Sequence, residues 1–122
     1  MPKKLGILMA AILFPMTMAH AEDCSDAYVY ADDVHSYAED SLHSHNLHDV
    51  RDNADQANEV AEDMALAVDE CSCDEASEYA DDVFTYTELA YKAHKLNKAI
   101  DYMKLARSAA DEVMSALDEC EI

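Results

Sequence analysis

The chain has 122 residues, and its 27 Asp and Glu against eight Lys and Arg give a formal charge of −19. A field of this sign repels nucleic acids and anionic membranes, so we expect neither as a partner. The same field attracts metal cations and basic proteins, which are therefore the partner classes that composition favours.

Residues 1–21 have the pattern of a secretory signal peptide. Lys3 and Lys4 precede a short apolar run, and the small-x-small sequence that ends at Ala21 fits a cleavage site. The apolar run is too short for a comfortable membrane span. We expect cleavage after Ala21, which leaves a single exported domain of residues 22–122, periplasmic or secreted and not inserted in a membrane.

The rest of the chain is a tandem repeat. Residues 24–71 form a first copy and residues 73–120 a second, with an offset of 49 and 18 identities in 48 positions without a gap. Each copy begins and ends with cysteine. Four cysteines in an exported chain predict two disulfides, with three pairings open; the repeat favours one bond per copy, Cys24–Cys71 and Cys73–Cys120.

The apolar positions of each copy form two helical stripes that differ in phase. In the first copy the second stripe starts about 200° around the helix from the first, so one continuous helix would turn its apolar face to the opposite side. Turns near 45–49 and 94–98 remove that conflict. The predicted core positions are Cys24, Ala27, Ala31, Val34, Ala38, Ser41, His45, Val50, Ala54, Ala57, Ala61, Met64, Val68 and Cys71, and Cys73, Ala76, Ala80, Val83, Thr87, Ala90, His94, Ala99, Met103, Ala106, Ala110, Val113, Leu117 and Cys120.

Each copy is therefore predicted to be a disulfide-stapled helical hairpin, and the fold class to be all-α. Because only Ser72 links the copies, we expect an up-down-up-down four-helix bundle. Ser72 with Glu75 matches a capping box for the third helix, and Asp49 and Asn97 are expected to cap the second and fourth. Tyr30, Tyr37, Tyr79 and Tyr86 are expected to flank the alanine-rich core.

Histidines near the two turns are candidate metal ligands. His43, His45 and His48 form a His-x-His-x-x-His sequence, which His94 of the second copy could complete as a site for Zn²⁺, Cu²⁺ or Ni²⁺. The other interpretation is that His45 and His94 interact with the carbonyl ends of helices, and the nearby lysines would oppose a cation. A thiolate site built from the cysteines is a further alternative to the disulfides.

The two copies differ in a way that suggests a binding surface. The second copy has an apolar strip where the first has polar residues, and its lysines lie nearby; the candidate contact residues are Phe84, Leu89, Tyr102, Leu105 and Lys98. The alternative is that the strip packs against the first copy. No glycine-elbow serine or other nucleophile–base pattern occurs, so no enzyme is expected.

The sequence therefore predicts an exported, non-catalytic interaction module that engages a basic protein, as an inhibitor, immunity factor or small chaperone would. The competing hypothesis is a divalent-metal-binding protein that uses the histidines. A homodimer is compatible with either hypothesis.

Overall fold

A computed structural model describes residues 24–120, and the predicted signal peptide lies outside this range. The described chain consists of four helices and contains no strand: α1 (Ser25–Leu42), α2 (Leu47–Glu70), α3 (Asp74–Lys92) and α4 (Leu96–Cys120). The helices form a bundle in which α1 packs against α2 and α4, and α3 also packs against α2 and α4. No helix of this bundle combines the length and the hydropathy that crossing a membrane requires.

Two disulfides connect the ends of the helices. Cys24 is bonded to Cys71 with their Cα atoms 5.3 Å apart, and Cys73 is bonded to Cys120 with a Cα separation of 5.9 Å. These are the pairings that the repeat favours. Each bond closes a loop of the same length, 47 residues of sequence separation, so the two copies are covalently equivalent.

The predicted stripes form the core. Every predicted position is buried except His45, His94 and Cys120, and the core also includes Ala109 and Ala116. The two histidines are exposed because α1 and α3 end before them. The four predicted flanking tyrosines are half-buried against the core. For one of them, Tyr79 on α3, the nearby carboxylate of Glu112 on α4 raises the pKa.

The connections between helices lie earlier than predicted, at residues 43–46 and 93–95. In the first connection Asn46 caps α2: its side-chain oxygen accepts from the Asp49 backbone N–H at 2.8 Å, and its amide donates to the Asp49 carboxylate at 3.0 Å. Asp49 as the cap was therefore wrong, since it is the residue that reaches back to Asn46. Asn97 was wrong as well, because it lies inside α4.

The predicted capping box at Ser72 does not form. Cys73 is the N-cap residue of α3 and makes no side-chain cap hydrogen bond. Ser72 instead ends α2: its N–H donates to the Asp69 carbonyl at 3.1 Å, and its φ of 61° places it in the left-handed region. A single linking residue thus completes the C-terminus of one helix, which leaves it in the wrong conformation to begin the next.

Candidate functional site

The four histidines proposed as metal ligands lie in or beside the helix connections. His43 is the C-cap residue of α1, His45 and His94 lie in the connections, and His48 lies in the first turn of α2. All four are exposed. Between residues 24 and 120 no three His, Cys, Asp or Glu side chains are grouped so that they could hold a metal ion. A zinc, copper or nickel site at these histidines stays a prediction.

All four cysteines take part in the two disulfides. A thiolate site for zinc or copper would need at least one of these bonds to be reduced. The cysteines therefore act as links between helix ends in this structure, which is the first of the two interpretations that the sequence allowed.

The predicted apolar strip of the second copy divides into two parts. Phe84 and Tyr102 are half-buried and pack against the core. Leu89 and Leu105 are exposed, with 39% and 45% of their surface accessible, and Lys98 is also exposed. The two leucines and the lysine are thus the most exposed of the five candidates, while the two aromatic side chains are partly covered by the core.

A polar network that sequence reasoning missed joins α1 to α4. Arg107 donates to the Glu39 carboxylate at 2.6 Å, and His35 Nδ1 lies 2.9 Å from an Asp111 carboxylate oxygen. His35 Nε2 also lies 3.7 Å from Glu39. The four-residue spacing of His35 and Glu39 was visible in the sequence, but their partners depend on which helices are neighbours.

Replacing Arg107 by Gln is expected to raise the pKa of Glu39. The Arg107 guanidinium holds the pKa of Glu39 below its ordinary value, chiefly through the hydrogen bond between them. Because the pKa is lower in the folded state, the stability that Glu39 contributes is present above its unfolded pKa and is lost as the pH falls through its folded pKa. A carboxyl-carbon NMR titration measures the change.

Lys104→Gln is the matched control for this titration, because Lys104 is exposed and forms no ion pair within residues 24–120. It removes one positive charge from the same helix without breaking a contact to Glu39. Equal effects of the two variants on the Glu39 pKa would show that general charge, rather than the hydrogen bond, sets it.

The contact between α2 and α3 is built differently. The Asn58 amide donates to the Phe84 carbonyl at 3.1 Å and to the Thr87 hydroxyl at 3.0 Å. Thr87 is fully buried and its hydroxyl donates to the Val83 carbonyl at 2.9 Å. These bonds satisfy the polar groups that the contact buries.

A groove of about 500 Å³ lies beside this contact, at the start of α2 and the end of α3. At the groove, Arg51 Nε donates to the Tyr91 carbonyl at 2.7 Å, and the Arg51 guanidinium lies over the Tyr91 ring, 5.6 Å from its centroid. The groove is lined by Leu47, His48, Arg51, Asp52, Asp55 and Tyr91. Of these, only His48 was singled out from the sequence.

Comparison with known proteins gives this chain no family. No protein-family model matches it, and neither a curated protein nor a solved structure is significantly similar to it.

Proposed function

We propose that this protein is an exported, non-catalytic interaction module that binds a basic protein partner. The observation that carries the proposal is the state of its carboxylates. No Asp or Glu between residues 24 and 120 is buried, and within that range only Glu39 and Glu88 have a Lys or Arg nitrogen within 4.0 Å. Nearly all of the negative charge therefore faces solvent without a Lys or Arg partner.

Such a surface has a physical cost and a physical use. Like charges repel one another across the bundle, which opposes folding, and the two disulfides offset that repulsion by constraining the unfolded chain. The same charges raise the rate at which the protein encounters a positively charged partner. Added salt screens the charges and so reduces this effect. The charge therefore favours binding of a basic partner more than it favours stability.

The proposal takes the helices to run up-down-up-down, as two hairpins. The contacts between α1 and α4 support this order, because the pairs His35–Asp111 and Glu39–Arg107 advance along α1 while they recede along α4. The bond between Cys24 and Cys71 likewise brings the start of α1 to the end of α2. In that arrangement the two helix connections lie at the opposite end from the cysteines.

The second copy supplies the apolar part of the proposed contact. Leu89 and Leu105 are exposed on α3 and α4, two helices that pack against each other, and Lys98 is exposed on α4. The repeat shows that the fold does not need these leucines, because the first copy has Asp40 and Gln56 in their places. A partner that combines basic residues with an apolar contact would use both features of the surface.

Export fits the chemistry of the chain. Disulfides persist in oxidising compartments, and the signal-like residues 1–21 would direct the protein to one. The proposal gives the protein no catalytic step, because the serines have no nucleophile–base context in the sequence.

The test is crosslinking and affinity capture of partners in the exported fraction, followed by reconstitution with the purified partner. We expect a basic protein whose binding saturates and weakens between low and physiological salt. The variant Leu89→Asp/Leu105→Gln, which carries the first copy's residues, should reduce its affinity about tenfold or more, equivalent to about 1.4 kcal/mol.

Val29→Glu/Leu66→Ser is the matched control. Val29 and Leu66 are exposed apolar residues of the first copy, 56% and 60% accessible. The second copy has Glu78 and Ser115 at these two positions. The control should bind as the wild type does. A protein that stays alone and captures nothing at low salt would rule the proposal out.

A further inference from the structure

We infer that the groove between α2 and α3 binds a lysine or arginine side chain of the partner, with Asp52 and Asp55 holding its charged end. This inference rests on the proposed function, since it names the place where a basic partner inserts a side chain. Four observations carry it: the shape of the groove, its unpaired carboxylates, its exposed aromatic ring and a comparison within the repeat.

The groove suits a side chain better than a bare ion. Its volume of about 500 Å³ lies within the roughly 300–1,000 Å³ range of sites that hold small organic groups. Leu47 and Tyr91 give it apolar surface for an aliphatic stem, and the carboxylates give it charge for the end of that stem.

The lining carries uncompensated negative charge. The carboxylates of Asp52 and Asp55 form no hydrogen bond or ion pair with any residue of the described chain. Arg51 is the only cation in the lining, and its Nε is held by the Tyr91 carbonyl. Two carboxylates outnumber one guanidinium in the lining, so the groove attracts a cation rather than an anion.

Tyr91 already interacts with one cation at this position. The Arg51 guanidinium lies 5.6 Å from its ring centroid, which is within the range of a cation–π contact. The tyrosine is still 42% accessible, so part of the side chain remains open to an incoming group. An exposed aromatic residue beside carboxylates is a suitable surface for an ammonium or guanidinium group.

The repeat provides an internal comparison. The contact between α4 and α1 is the counterpart of the contact between α2 and α3, and there the residues that match the groove lining are Leu96, Asn97, Ile100, Asp101, Lys104 and Leu42. Ile100 packs against the core where Arg51 stands in the first copy. The counterpart contact keeps the first aspartate, as Asp101, but has neither the second carboxylate nor the guanidinium nor the ring. The fold therefore does not require these three groups, which points to a role in binding.

The experiment is an amide-shift NMR titration of the purified, oxidised protein at about 0.15 M salt, with Nα-acetyl-lysine methylamide as the probe. We expect saturable shifts at Asp52, Asp55 and Tyr91, with a Kd on the order of 1 mM for a ligand of this size. The neutral probe Nα-acetyl-norleucine methylamide should produce no saturable shifts. Equal shifts with both probes would overturn the inference.

Two variants separate the groove from general charge attraction. Asp55→Lys/Tyr91→Leu gives α2 and α3 the residues of the counterpart contact and should weaken lysine-probe binding at least about tenfold. Asp101→Asn changes the counterpart of Asp52 and should leave binding as it is. Loss of binding in both variants, or in neither, would overturn the inference.

Partner capture distinguishes this inference from the proposed function. If Asp55→Lys/Tyr91→Leu captures the basic partner as well as the wild type does, the partner does not insert a side chain into the groove. The proposed interaction with a basic partner is not affected by that result. If no basic partner exists, binding of the lysine probe still reports on the groove itself.

Discussion

Removing the first disulfide with Cys24→Ala/Cys71→Ala is expected to lower the free energy of unfolding by about 4 kcal/mol. The physical reason is that the bond closes a loop with a sequence separation of 47 residues and so limits the conformations of the unfolded chain. Alanine is chosen because both cysteines are buried, where a serine hydroxyl would add a desolvation cost. Urea unfolding followed by circular dichroism measures the loss.

Cys73→Ala/Cys120→Ala provides the comparison. This bond closes a loop of the same sequence separation, so the chain-entropy contribution should be equal. The two variants are expected to lose similar stability, and the variant without either bond should be largely unfolded at 37 °C. A loss below about 1 kcal/mol for either bond would show that the unfolded chain is already compact without it.

The core is mostly alanine, which explains why the disulfides are expected to matter so much. Alanine at successive buried positions removes less apolar area from water than Leu or Ile would, and burial contributes roughly 25 cal/mol per Å². Within residues 24–120, only Met64, Met103 and Leu117 are large side chains with 1% or less of their surface exposed. A core with so few large side chains depends for its stability on the two disulfides and on these three residues.

The sequence predicted the helices, the disulfide pairing and nearly all of the core, because each follows from the repeat and from periodicity. The helix boundaries were predicted less well. α2 begins earlier than predicted, at Leu47, where the Asn46 side chain accepts from the Asp49 N–H and caps the helix. Ser72 ends α2 instead of capping α3. Local competition of this kind between neighbouring capping residues does not alter the apolar period, so the period could not reveal it.

The candidate site was harder to predict. The groove combines residues of α2 with Tyr91 of α3, and the α1–α4 network combines His35 with Asp111, 76 residues away in the chain. Periodicity shows which face of each helix is buried, but not which polar residues of two neighbouring helices meet. The aligned copies contained a usable signal, since Arg51 and Tyr91 both differ in character from their counterparts Ile100 and Leu42.

Met103→Ala is expected to destabilise the protein by about 3 kcal/mol, since deleting a fully buried Met leaves a cavity. Met64→Ala should have an effect of similar size. Leu66→Ala is the control, because Leu66 is 60% accessible and its truncation should change the free energy of unfolding by less than about 0.5 kcal/mol. Urea unfolding of the three variants measures these free energies. If the two methionine variants lost no more stability than Leu66→Ala, the buried methionines would not fill the core.

A second substitution turns this into a test of the proposed helix order. Met103 on α4 has Ala54 on α2 as its repeat counterpart, and both are fully buried. In an up-down-up-down bundle these two helices are parallel and diagonal, so the two positions lie at the same level of one shared core. Ala54→Met/Met103→Ala would then return the methionine to that layer from the opposite helix, and it should recover at least about half of the stability that Met103→Ala loses. If the double variant were less stable than Met103→Ala alone, the two positions would not share a layer and the helix order would have to be revised.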